Sequence, residues 1–170
     1  MILSDRDLVR RIRQGDKLAY PIEDCQIQPA SIDVRLGDDM LWSTPDGWNK
    51  VRLSDWVHVC LNPGDFALGT TVECVEVPDD LLCLVHGRSS TGRQGLIVET
   101  AGLVDPGFTG EITLELTNIS KRPIALTSGM GIAQLTFQRL TCPTERPYGA
   151  DGLRSRYQHQ AGPTLPRDHR

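Results

Sequence analysis

From residue 27 onward the chain is written in short runs of β-forming residues, and each run is broken within a few positions by Gly, Pro, Asn or Asp. This punctuation constrains the fold more than any other feature, because it leaves no room for long helices and little for long strands. Ser31-Ile32-Asp33-Val34-Arg35-Leu36 alternates polar and apolar, which predicts a strand. Pro45-Asp46-Gly47 and Pro63-Gly64-Asp65 read as turns. Residues 66–77 are rich in β-formers, and residues 81–85 form a short apolar run that suits a buried strand. Residues 96–98, 112–117, 124–126 and 132–137 predict further strands. Many short strands with frequent turns point to an all-β sandwich or barrel.

Only the N-terminus reads as helix. Ser4-Asp5-Arg6-Asp7 has the pattern of a capping box, Leu8, Val9 and Ile12 form an apolar stripe, and Gly15 supplies the stop. After Thr141 the composition shifts: Pro143, Pro147, Gly149, Gly152, Gly162, Pro163 and Pro166 interrupt a stretch with no strand or helix pattern. Residues 143–170 are therefore expected to form an arm rather than a domain. The chain has 170 residues, of which 39% are hydrophobic and 24% charged. That suits one globular domain with a core of its own, spanning residues 1–170.

The formal net charge is −4, so the overall field does not favour polyanionic nucleic acid, whereas a short anionic ligand needs only a few cations in one place. The five cysteines, Cys25, Cys60, Cys74, Cys83 and Cys142, are odd in number and include no C-x-x-C pair. A disulfide framework or zinc ribbon is not expected; the cysteines read as reduced, mostly buried thiols. The first 15 residues are too charged for a signal peptide, and no apolar stretch approaches membrane-spanning length. The expectation is a cytoplasmic protein with no membrane partner.

Three segments carry candidate chemistry. Gly87-Arg88-Ser89-Ser90-Thr91-Gly92-Arg93-Gln94-Gly95 packs three glycines, three hydroxyl residues and two arginines into nine positions. Glycine lets backbone N–H groups converge on an anion, and the guanidinium fork matches phosphate. The spacing is not that of a Walker loop, and a plain polar surface loop has equal standing. In Asp105-Pro106-Gly107-Phe108 the aspartate reads either as a turn residue or as a carboxylate for a sugar hydroxyl or a water, and Phe108 as a core aromatic or a flat sugar platform. In Glu111-Ile112-Thr113-Leu114-Glu115-Leu116-Thr117 the leucines and isoleucine share one strand face, and Glu111, Thr113, Glu115 and Thr117 the other. Glu115 either faces water or lines a pocket, where burial would raise its pKa towards proton shuttling. Gln134 alternates similarly and could face the same space. No His begins an H-x-E, so the zinc-deaminase signature is missing and zinc-bound water is not the expected nucleophile.

In these motifs and their order the sequence resembles the dCTP deaminases, members of the trimeric dUTPase-like superfamily. The resemblance runs from Ile2-Leu3-Ser4-Asp5-Arg6-Asp7 through Gln28-Pro29-Ala30-Ser31-Ile32-Asp33 and Pro63-Gly64-Asp65-Phe66 to Gly87-Arg88-Ser89-Ser90. It continues through Asp105-Pro106-Gly107-Phe108 and Ile112-Thr113-Leu114-Glu115-Leu116, and ends at Tyr157-Gln158-His159-Gln160-Ala161-Gly162-Pro163-Thr164. It implies a distorted jelly-roll β-sandwich assembled as a homotrimer with active sites between subunits, and dCTP or dUTP as ligand. It also implies magnesium held through phosphate oxygens and water rather than by protein ligands. By position, Glu115 matches the proton-shuttling glutamate, while Ser89 and Arg93 match catalytic positions. Arg88, Ser90, Ala101, Asp105 and Gln134 match substrate-binding positions. Tyr148, Arg156 and Gln160 match arm positions that fold over the triphosphate, with Arg156 where lysine is usual. Ala101-Gly102 resembles the branch that continues from dUTP to dUMP and pyrophosphate; the dUTP-releasing branch carries histidine after that alanine. Residues 95–101 are one position shorter than the usual deaminase segment and lack its histidine, a departure that bears on the choice of base. The alternatives are a dUTP diphosphatase without deaminase activity and a non-catalytic nucleotide- or protein-binding β-domain.

Overall fold

A computed structural model of the chain describes residues 1–54, 56–99 and 102–167. In chain order the elements are helix α1 (Asp5–Arg13), strand β1 (Ala19–Tyr20), a 3-10 turn (Asp24–Gln26), β2 (Ile27–Gln28), β3 (Ser31–Arg35), β4 (Asp39–Thr44), β5 (Gly47–Arg52), β6 (Val59–Leu61), β7 (Phe66–Glu76) and β8 (Leu81–Gly87). The single-turn helix α2 (Ser89–Gly92) follows, then β9 (Leu96–Glu99), β10 (Leu103–Val104), β11 (Thr109–Asn118), β12 (Ile124–Leu126) and β13 (Gly131–Arg139). One sheet runs β5-β4-β7-β11-β9, with β1 also paired to β7; the second runs β10-β8-β13-β3-β2; β12 and β6 form a two-stranded ribbon. Every described pairing is antiparallel. The fold is the expected all-β sandwich.

Period-2 alternation explains the core. On β11 Leu114 and Leu116 are fully buried while Thr113, Glu115 and Thr117 are half-exposed. Ile32, Val34 and Leu36 from the β3 segment, Leu81 and Cys83 from β8, and Ile132, Leu135 and Phe137 from β13 join them between the sheets. Truncating a fully buried ring such as Phe137 to alanine would cost about 3–5 kcal/mol. Burial also pushes the Cys83 thiol well above its ordinary range. The expectation of mostly buried cysteines is corrected: Cys25, Cys60 and Cys142 are exposed and Cys74 is half-buried, although all five are free. Cys60 faces outward on the short ribbon strand β6, and the 3-10 turn and the arm place Cys25 and Cys142 at the surface, so residue type alone did not fix the side.

Helix α1 forms as its sequence requires. Ser4 Oγ accepts from the Asp7 N–H at 3.4 Å, and Gly15 follows the C-cap Gln14 with φ +110°. Arg11 then ties the helix to the turn between β7 and β8 by donating to both carboxylate oxygens of Asp80 at 2.8 and 2.7 Å. Two features were not anticipated. Pro45-Asp46 is the tip of a hairpin, β4–β5, of which β5 forms the sheet edge, and the two strands carry few buried residues. The stretch expected to be wholly loop, 87–95, contains α2, so the N–H groups of Gly92, Arg93, Gln94 and Gly95 are spent on carbonyls within the turn.

The β11–β7 ladder shifts register between Glu111 and Thr113. At the shift Ile112 N–H donates to Thr71 Oγ1 (3.0 Å) and its carbonyl accepts from Thr70 Oγ1 (3.3 Å), so the irregularity leaves no buried backbone group unmet. Residues 143–167 add no strand or helix. They lie against the first half of β11 and the turn before it, and the turn packs tightly at Gly107. Its φ is +89°, and a Cβ there would come within 2.5 Å of Pro147, so only glycine fits.

Candidate active site

A cavity of about 350 Å³ lies between β11, the starts of β7 and β5, the β10–β11 turn and the arm. This is within the size range of small-molecule sites. Its wall is largely apolar. Trp48 meets Phe66 edge-on, with ring centroids 5.9 Å apart, and Phe108 packs against Tyr148 at 5.8 Å. Phe108 is thus both core and wall: it is 6% exposed and lines the cavity. Leu68 on β7 continues the floor.

Against this wall stand a few polar groups. Glu115 is half-buried on β11, in register with Leu68 of β7 on one side and with β9 on the other. Asp105 lies at the exposed rim. Its carbonyl accepts from the Phe108 N–H (3.1 Å) to close the turn, and the residue also lines the cavity. Tyr148 and Gln160 reach the cavity from the arm. The Tyr148 hydroxyl accepts from the Tyr157 N–H at 2.9 Å. Gln160 donates its Nε2 to the Glu111 carbonyl at 2.7 Å, while its Oε1 is buried with no hydrogen-bond partner among the described residues. Arg156 is not among the lining residues; its Nη1 donates to the Arg167 carbonyl at 3.2 Å.

The remaining anticipated residues form a second cluster on the outer face of the other sheet. Gln134 on β13 is in register with Asp33 of β3 and His86 of β8. Arg88, just beyond β8, pairs with Asp33 at 3.1 Å. Burial pushes the Asp33 carboxyl above its usual range, and Arg88 partly offsets this. Arg88 lies directly over Gly131, where a Cβ would fall 1.8 Å from Nη1. Ser89, Ser90 and Arg93 are exposed on and beside α2. Within one chain, therefore, Gln134 does not share the space around Glu115, because β13 and β11 belong to different sheets. Ala101 lies outside the described residues. Among the described residues lining the cavity are two carboxylates and no arginine or lysine. No three His, Cys, Asp or Glu side chains among the described residues gather closely enough to hold a metal ion.

Sequence reasoning passed over Asp33, Trp48, Phe66 and Tyr157. Asp33 had a signal, an acid on the polar face of an alternating strand. Trp48 had none, since only the β4–β5 hairpin brings it to Phe66.

A dCTP deaminase-like family profile matches residues 2–140. The dCTP deaminase of Haloarcula marismortui is 49% identical over 183 residues, covering 96% of this chain and 92% of that protein. A dCTP deaminase, dUMP-forming, of Halobacterium salinarum is 48% identical over 185 residues, covering 98% and 94%. The crystal structure of 2'-deoxycytidine 5'-triphosphate deaminase from Agrobacterium tumefaciens shares the fold, with a TM-score of 0.68 at 22% identity over 82% of this chain and 48% of that longer one. No helix among the described residues is long and apolar enough to cross a membrane.

Proposed function

Because the chain belongs to the dCTP deaminase-like family, we propose that it deaminates dCTP to dUTP and ammonia and carries the product on to dUMP and pyrophosphate in the same site. The observation that carries this reading is Glu115, a half-buried carboxylate on the wall of a largely apolar, nucleoside-sized cavity roofed by the arm. Water adds to C4 of cytosine. Glu115 takes a proton from that water and passes it to N3 of the ring; it then carries the remaining hydroxyl proton to the exocyclic nitrogen, which leaves as ammonia while C4 becomes a carbonyl. The apolar wall keeps bulk water from competing. Asp105 takes the sugar side at the rim and orients a further water, whose oxygen bonds to the α-phosphorus as the α–β phosphoanhydride bond breaks, so that dUMP and pyrophosphate separate. Ala101-Gly102 and the dUMP-forming relatives favour this second step.

The triphosphate needs cations that the cavity of one chain does not supply. We assign them to a neighbouring copy in a homotrimer, whose Arg88, Ser89, Ser90, Arg93 and Gln134 stand on an outward face free to meet another chain's cavity. Tyr148, Arg156 and Gln160 close over the phosphates as part of an arm that begins near residue 143 and belongs to the single domain. Magnesium, when bound, neutralises phosphate charge. The oxygen donors at the cavity, Asp105, Glu115 and Gln160 Oε1, suit a hydrated hard cation met through water. The cytoplasm is the compartment this substrate implies.

The test is Glu115→Gln, which keeps the shape and removes the base. Ammonia release should fall by about 10²–10⁴-fold, the usual worth of a general acid–base group, with dCTP binding by calorimetry retained. Unchanged turnover would remove Glu115 from the mechanism.

A further inference from the structure

β9 pairs with β11 at residues 115–118, and among the described residues the β11 edge from Thr109 to Thr113 has no strand partner on that side. The arm covers it. His159 N–H donates to the Thr109 carbonyl (2.7 Å), and Glu111 N–H donates to the Gln160 carbonyl (3.0 Å). Gln160 Nε2 donates to the Glu111 carbonyl (2.7 Å), and Thr164 N–H to Thr113 Oγ1 (3.1 Å). One contact in this set involves a charge. Glu111 Oε2 accepts from the Gly162 N–H at 2.6 Å, and from Thr70 Oγ1 on β7 at 3.3 Å. A short hydrogen bond to an ionised carboxylate is roughly twice as strong as its neutral counterpart.

Glu111 does not line the cavity, but the residues it pins do: Gln160 and Thr164 flank Gly162 and both face the cavity. Its carboxylate is steadied from the sheet by Thr70, so it offers the arm a fixed acceptor at the register shift of β11. We propose that Glu111 is the latch of the arm, a positioning residue that acts through Gly162 to hold Gln160 and Thr164 against the bound nucleotide. This inference rests on the cavity being the nucleotide site. It accounts for a carboxylate on the polar face of β11 that the reaction itself does not use.

The experiment compares the full-length protein with Glu111→Ala and Glu111→Gln. Amide hydrogen exchange is followed without nucleotide, and kcat and KM are then measured with dCTP. Glu111→Ala should speed exchange at Gly162 and Thr164 by about ten-fold or more, as expected for loss of a charge-assisted bond, while β7 and β13 stay protected. KM should rise by a similar factor, with kcat changed far less. Glu111→Gln, whose amide oxygen still accepts from Gly162, should recover most of both. Unchanged exchange at Gly162 and Thr164, loosening spread through both sheets, or a released arm with unchanged KM would each overturn the latch. The exchange measurement involves no turnover, so a parent protein inactive on dCTP would count against the reading of the cavity and not against the latch.

Discussion

Arg88 is held by two neighbours of opposite kind. Asp33 attracts the guanidinium from 3.1 Å, and Gly131 leaves the space it occupies. Gly131→Ala should therefore displace a flexible side chain rather than strain the backbone, and the melting temperature should barely move. KM for dCTP should rise by about ten-fold, the worth of a misdirected charge-assisted contact to phosphate. A melting temperature that falls steeply with KM unchanged would contradict this account of Gly131. The arginine was legible in the sequence because Arg, Ser and Gly together suit phosphate. Asp33 carried only the general signal of an acid on a polar strand face and Gly131 none, because each acts by holding another side chain, and which side chain that is depends on strands separated in sequence. Glu115 lay between these cases: alternation identified its face, but only the arm turned that face into a cavity wall.

At the level of elements, α1 depends on a link that acid should break. The bonds from Arg11 hold the Asp80 carboxyl below its ordinary value of 3.8, and Asp80 in turn pushes Arg11 up. A depressed carboxyl contributes stability that is fully present above the unfolded pKa and lost as pH falls through the folded one. Asp80→Asn should thus be less stable than the parent near neutral pH, and the difference should close as pH drops below about 3.8. Denaturant unfolding at several pH values checks this; a gap independent of pH would rule out the ion pair as its source. The helix itself was readable because its cap, stripe and stop are local. The β4–β5 hairpin was not, although its turn was, since strands with so little burial lack the alternation that marks a strand. The arm was recognised by composition, but its course along β11, set by bonds from His159, Gln160, Gly162 and Thr164, has no periodic signal in residues 143–167.

At the scale of the whole molecule, the proposed reaction needs two faces of one chain to meet in different copies. Among the described residues the cavity with Glu115 has no lining cation and the cationic cluster stands on the outer face of the other sheet, so the proposed trimer would complete each site between subunits. Co-assembly of Glu115→Gln with Arg88→Ala should then restore activity that neither variant has alone. In a randomly mixed cyclic trimer roughly a quarter of the sites regain both groups. No recovery in mixed assemblies would place both groups in one subunit's site. The sequence held both halves as motifs, yet their separation onto opposite sheets was visible only in the fold. The claim on which the rest depends is the reaction, and a time course of purified protein with dCTP, and separately with dUTP, tests it most directly by scoring ammonia, dUTP, dUMP and pyrophosphate. Consumption of dCTP with ammonia and dUMP formed in equal amounts is the expected result. Hydrolysis of dUTP with dCTP left untouched would contradict it.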